Sequence, residues 1–145
     1  MKLAFFRHGG GQSPFSGTDE AHIEARMEVM ARGLPFKPSI IYSSPYDKAV
    51  ETARVIAKVK KASYTTITEL SPAIASFEAL TRYVKDGAVF VGHSPSIEAV
   101  VVSLIGGGNI KLDPGGFAVV EATKYAHGAG VLVFLANPDY LLFLV

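Results

Sequence analysis

Short strand-forming runs alternate with longer helical segments through most of the chain. The runs are residues 3–6, 39–42, 64–68 and 88–91. Each is too short for a helix and carries β-branched or aromatic residues. A helix placed between two strands returns the chain to the edge where it started, so strands linked this way run parallel. Thr18 is placed to cap a helix from Asp19 to about Arg32, closed by Gly33 and Pro35. Ser44 and Pro45, with Asp47 three residues after the serine, form a capping-box-like start for a helix to about Lys60. Residues 76–85 predict a third helix, with Phe77, Leu80 and Val84 on one side. The fourth has the clearest period: Ile97, Val100, Val101, Leu104 and Ile105 fall at i, i+3, i+4, i+7 and i+8, and Gly106 to Gly108 end it. Two more strands follow, residues 117–122 and 131–136. Their connection is short enough for an antiparallel pair. The expected fold class is α/β: a three-layer α/β/α sandwich with a mostly parallel sheet and an antiparallel C-terminal strand pair. Its 145 residues suit one domain spanning 1–145.

Composition removes several function classes. At 49% hydrophobic and 19% charged residues the chain is globular rather than disordered. A formal net charge of +1 offers no basic face, so nucleic acid is not an expected partner. Cysteine is absent, which excludes disulfides and thiolate metal sites and fits a reducing, cytoplasmic setting. The path from Lys2 to Arg7 is too short for a signal-peptide core. Residues 140–145 are apolar, but no stretch reaches the roughly 18 apolar residues of a membrane span. That tail is expected to pack on the domain or on a partner subunit.

Three strand-to-helix junctions carry the chemistry: Arg7-His8-Gly9, Ser43-Ser44-Pro45-Tyr46-Asp47-Lys48 and Val91-Gly92-His93-Ser94-Pro95. All leave the carboxyl end of a strand, where open α/β sheets bind ligands. Proline suits a first helical position, and the free N–H groups of a helix start attract anions. Lys48 in a first turn opposes the helix dipole by about 0.3–1 kcal/mol. Pairing with Asp47 or Glu51, or a bound anion, would offset that. His8 and His93 each follow a predicted buried strand. His22 reads as a helix-surface residue and His127 as a turn residue. Residues 9–17 form a polar, glycine-rich loop above the sheet, where function tends to sit.

A serine-hydrolase arrangement competes for the same residues. His8-Gly9-Gly10-Gly11 matches an oxyanion loop, and Gly92-His93-Ser94-Pro95-Ser96 nearly matches the nucleophile elbow. The elbow needs the N–H of the residue after the serine, and Pro95 has none. Ser96 replaces the final glycine, and after Ser94 only His127 remains as a base. These residues argue against Ser94 as nucleophile.

Together the junctions resemble the histidine phosphatase, or phosphoglycerate-mutase-like, superfamily. Arg7-His8-Gly9 is similar to its Arg-His-Gly signature. The stretch from Ser43 to Ala53 resembles its Ser-Ser-Pro-x-x-Arg-Ala-x-Gln-Thr-Ala segment, and Val91 to Pro95 its second-histidine segment. Size and spacing resemble the SixA-type phosphohistidine phosphatases, as does Glu69-Leu70-Ser71-Pro72. The resemblance implies that His8 is the nucleophile and becomes phosphorylated, and that Arg7, Lys48 and His93 hold the phosphoryl oxygens. It implies a carboxylic acid for the leaving group. Glu69 is the choice by context, with Asp19 or Glu20 as substitutes. Phosphoryl transfer of this kind rests on positioning and charge, so no metal or cofactor is required where protein cations neutralise the phosphate.

This chain departs from the pattern at Lys48, which stands where arginine is usual and lacks its bidentate fork, and at Gly10, where an acidic residue is common. The expected activity is hydrolysis of a phosphomonoester or a protein phosphohistidine. Its partners would be a phosphorylated protein or a small phosphoester in an open site with no lid domain. The departures also motivate an alternative, a non-catalytic phospho-ligand binding module with a degenerate site.

Overall fold

Strand β1 (Lys2–Arg7) buries side chains on both of its faces. Ala4 and Phe6 enter one apolar cluster, while Leu3 and Phe5 enter another. Side chains alternate across a strand, so burial on both faces demands a covering layer on each side. A computed structural model describes residues 1–10 and 20–141 and shows those layers. Helices α1 (Glu20–Arg32) and α2 (Asp47–Lys60) supply residues to the first cluster, and α3 (Ser96–Ile105) supplies the second.

The remaining strands are β2 (Ile40–Ser43), β3 (Tyr64–Thr66), β4 (Ala88–Gly92), β5 (Phe117–Ala122) and β6 (Gly130–Ala136). They form one six-stranded sheet in the order β3-β2-β4-β1-β5-β6. Pairs β1–β4, β2–β4 and β2–β3 are parallel. β5 runs antiparallel to β6, as the short connection predicts, and also to β1. Residues 106–116 explain the second reversal. They climb from the end of α3 back to the carboxyl end of β1, where the Gly115 N–H bonds to the Arg7 and His8 carbonyls at 3.1 Å. The next strand can then only run downward. Gly106 starts this return in the left-handed region, at φ 91°, with its N–H on the Val102 carbonyl.

Two local expectations are corrected. Residues 76–85 form no α-helix; Glu78–Tyr83 is a 3₁₀ helix. Its buried Phe77 and Leu80 lie three apart, which a three-residue turn places on one side, and the run is too short to propagate an α-helix well. The capping box at Ser44 does not form either. Helix α2 starts at Asp47 behind Tyr46, without a side-chain cap. The Ser44 backbone still belongs to the sheet, donating to the Val91 carbonyl at 3.0 Å. Pro45 and Pro95 therefore precede their helices instead of opening them, Pro95 standing at the cap of α3.

The cap assigned to Thr18, the Asp19 helix start, most of the loop at residues 9–17 and the tail at 142–145 lie outside the described residues. A last helical turn spans Pro138–Leu141. Among the described residues no helix is long and apolar enough to cross a membrane.

Leu104 is fully buried in the cluster between α3 and the sheet. Leu104→Ala should cost about 2–5 kcal/mol by cavity formation. A urea titration checks this, with the midpoint falling at an unchanged slope.

Candidate active site

The carboxyl end of β1 is held from both sides. Arg7 N–H donates to the Gly116 carbonyl at 3.0 Å, and His8 N–H to the Gly92 carbonyl at 2.9 Å. Since Arg7 lies opposite Gly92 in the parallel pair, His8 and His93 leave neighbouring strands at the same level. Their rings stand 4.9 Å apart, centroid to centroid, at an angle of 66°. Helix α2 is fastened to this end through Thr52, which is fully buried. Its Oγ1 accepts from Gly9 N–H at 2.9 Å and donates to the Lys48 carbonyl at 2.8 Å.

These elements enclose a cleft of about 440 Å³ lined by His8, Tyr46, Asp47, Lys48, Pro72 and His93. His93 Nε2 is hydrogen-bonded to Ser44 Oγ at 2.8 Å, and the Tyr46 ring meets His93 edge-on at 5.2 Å. The serine predicted to cap a helix thus orients an imidazole from another strand.

The histidines are kept neutral. Burial pushes the His8 pKa down to about 4, helped by His93, Arg7 and Lys48. Burial also lowers His93. A neutral imidazole retains a lone pair and is competent as a nucleophile. Gly10 N–H donates to His8 Nδ1 at 3.2 Å, which favours the tautomer carrying its proton on Nε2.

Lys48 is exposed on the cleft wall. The local partners considered for it do not engage it. Glu51 is taken by Arg54, and no ion pair or hydrogen bond joins the Lys48 ammonium to any described residue. Of the two ways to offset its position against the α2 dipole, the bound anion is the one left open. Arg7 is not among the residues lining the cleft. It is half-buried and donates from Nη1 to the Leu112 carbonyl at 2.9 Å, while its charge acts on His8.

Glu69 has partners of its own. Its carboxylate accepts from Arg82 and from the Tyr83 hydroxyl, both at 2.7 Å, and it is not among the cleft-lining residues. Tyr83, the residue's own backbone and Arg82 hold its carboxyl below the usual range. A group kept ionised by such partners is a poor proton donor. Asp47 is the carboxylate that does line the cleft. Its place beside Lys48 in the Ser-Pro segment was the available signal, absorbed there by the capping pattern. Asp19 and the side chains of Glu20 and His22 lie outside what is described.

The serine-hydrolase arrangement is not assembled. Ser94 Oγ donates to the Glu98 carboxylate at 2.7 and 2.9 Å. His127 sits in a turn, 3.3 Å from Glu78 and against the Phe77 ring. Among the described residues no group of three or more His, Asp or Glu side chains is arranged to hold a metal ion.

No family model and no curated protein matches the sequence. Solved structures match by fold. The protein histidine phosphatase SixA complexed with tungstate gives a TM-score of 0.76 at 20% identity, covering 97% of this chain and 99% of that one. A phosphoserine phosphatase from Entamoeba histolytica in complex with phosphoserine gives 0.67 at 16%, covering 97% and 98%. A phosphoglycerate mutase from Plasmodium falciparum gives 0.64 at 15%, covering 92% and 88%. The fold is therefore phosphoglycerate-mutase-like, with SixA phosphohistidine phosphatases among its structural neighbours.

The unfolded chain binds a proton at His8 near pH 6.5, and the folded chain only near pH 4. The contribution of His8 to stability is thus fully present above pH 6.5 and is lost as pH falls through about 4. An NMR titration of the His8 ring should show a midpoint near pH 4, and Lys48→Ala should raise it. A midpoint near 6.5 in the intact protein would contradict the burial seen here.

Proposed function

We propose that this chain is a phosphatase that hydrolyses a phosphomonoester or a protein phosphohistidine through a phosphohistidine on His8. The observation that carries this reading is a neutral, half-buried imidazole sharing one cleft with a lysine ammonium that no described residue neutralises. In the first step a His8 ring nitrogen attacks phosphorus, and the bond to the leaving group breaks as that group takes a proton from water. In the second, water attacks phosphorus, the P–N bond to His8 breaks, and inorganic phosphate leaves. Splitting the reaction this way is the gain of covalent catalysis.

Nε2 is the ring nitrogen that Gly10 leaves free. Attack from it requires the proton to move to Nδ1 and the 3.2 Å bond to be given up, a loss of about 0.5–1.5 kcal/mol. Lys48 and His93 face the phosphoryl oxygens from the cleft. Arg7 adds charge beside His8, with guanidinium donors beyond the one used on Leu112. These cations provide the charge stabilisation that phosphoryl transfer needs, so the reading calls for no metal or cofactor.

The cleft also bears on the leaving group. Tyr46 and Pro72 offer apolar surface beside His8 that suits a flat ring. With Glu69 engaged elsewhere, Asp47 is the one carboxylate lining the cleft among the described residues, and a leaving group needing little proton assistance suits such a site. Both features support phosphohistidine over an alkyl phosphate. The engaged Glu69 favours a second reading as well, the non-catalytic phospho-ligand module.

Turnover of para-nitrophenyl phosphate separates the readings. Wild type should turn over and His8→Ala should fall to the buffer rate. Turnover that persists without His8 would overturn the mechanism, and phosphate binding without turnover would favour the module. In phosphate-binding measurements Lys48→Arg should hold or improve affinity, and Lys48→Ala should weaken it about 10- to 100-fold. Equal affinity in all three proteins would return Lys48 to the solvated surface.

A further inference from the structure

Gly10 and Lys48 meet across the gap between β1 and α2. A Cβ added to Gly10 would lie 2.6 Å from Lys48 Cδ, 2.9 Å from Cγ and 3.2 Å from Cβ. Real Cβ atoms essentially never approach within 3.0 Å, so the lysine stem would have to move. These are three of the four methylene carbons of the stem, and displacing them redirects the ammonium at its end.

The backbones on either side have little room to relax. Thr52 ties Gly9 N–H to the Lys48 carbonyl through two hydrogen bonds within a buried hydroxyl's reach. Backbone conformation does not call for glycine here either, because Gly10 is absent from the residues with positive φ. Space for the Lys48 stem is the physical reason on hand for a bare Cα at this position.

We infer that Gly10 is a positioning residue for the anion site: its missing side chain lets the Lys48 stem lie across the loop and delivers the ammonium to the cleft beside His8. This rests on the reading of Lys48 as an oxyanion ligand. An ammonium is a point charge without the fork of a guanidinium, so its contribution depends on where the stem puts it. Any side chain at position 10 would push the stem away. The chain's two departures from the resembled pattern, Gly10 and Lys48, then act as one change.

A double-mutant cycle read by tungstate affinity tests this, with wild type, Gly10→Ala, Lys48→Ala and the double variant compared at pH 7. Gly10→Ala should weaken tungstate binding about ten-fold when Lys48 is present, and less than about two-fold when it is alanine. A parallel NMR titration gives a readout that loss of packing alone would not produce. Gly10→Ala should raise the His8 midpoint, because the ammonium that depresses it has moved, and should leave that midpoint unchanged in the Lys48→Ala background.

Equal effects of Gly10→Ala in both backgrounds would overturn the inference while leaving the phosphatase reading in place. A wild-type protein that does not bind tungstate would overturn both. If Gly10→Ala alone does not fold, recovery of folding in the double variant supports the clash, and failure of both variants to fold overturns it.

Discussion

The last residue of β1 and the residue after it are held from both sides, and the site depends on that grip. Hydrogen bonds from Arg7 to Gly116 and from His8 to Gly92 fix the backbone just where the strand stops. The strand itself is anchored by side chains buried on both faces. This strand end sets the position of the His8 backbone, and Gly10 N–H adds a hydrogen bond to its ring. Because β4 is the parallel partner, the same register also sets His93. Two imidazoles from distant parts of the chain are thereby brought to 4.9 Å.

Electrostatics follow from this placement. Burial and the nearby cations Arg7 and Lys48 all oppose a proton on His8. A site rich in positive charge therefore keeps its central base neutral, which leaves a lone pair for attack and reserves the fixed cations for an anion. The arrangement is selective about side chains. Glu69 is engaged by Arg82 and Tyr83, and Ser94 by Glu98, which leaves Asp47 as the carboxylate lining the cleft.

Much of the fold is legible in the sequence because its signals are local. The strand runs stand within a residue or two of their observed ends, β3 being the short one, and the α3 period is read directly. Elements are misread where a distant partner intervenes. Ser44 has the local form of a helix cap, yet its hydroxyl is taken by His93, 49 residues away. The partners of Glu69 are likewise distant, Arg82 and Tyr83 reaching it from 13 and 14 residues on. The 3₁₀ segment around Phe77 and Leu80 shows a different kind of miss, since a spacing of three fits either helix type over so short a run.

By itself the sequence determined the alternation of strands and helices, and with it the edge of the sheet that carries Arg7, His8, Lys48 and His93. Those are consequences of chain connectivity and side-chain period, which neighbouring residues encode. Tertiary structure alone decided which of the candidate groups share the cleft, which are engaged elsewhere, and that the bare Cα of Gly10 lies beneath the Lys48 stem. Hydrogen-bond competition and steric clearance are settled between residues far apart in the chain, and no local pattern records them.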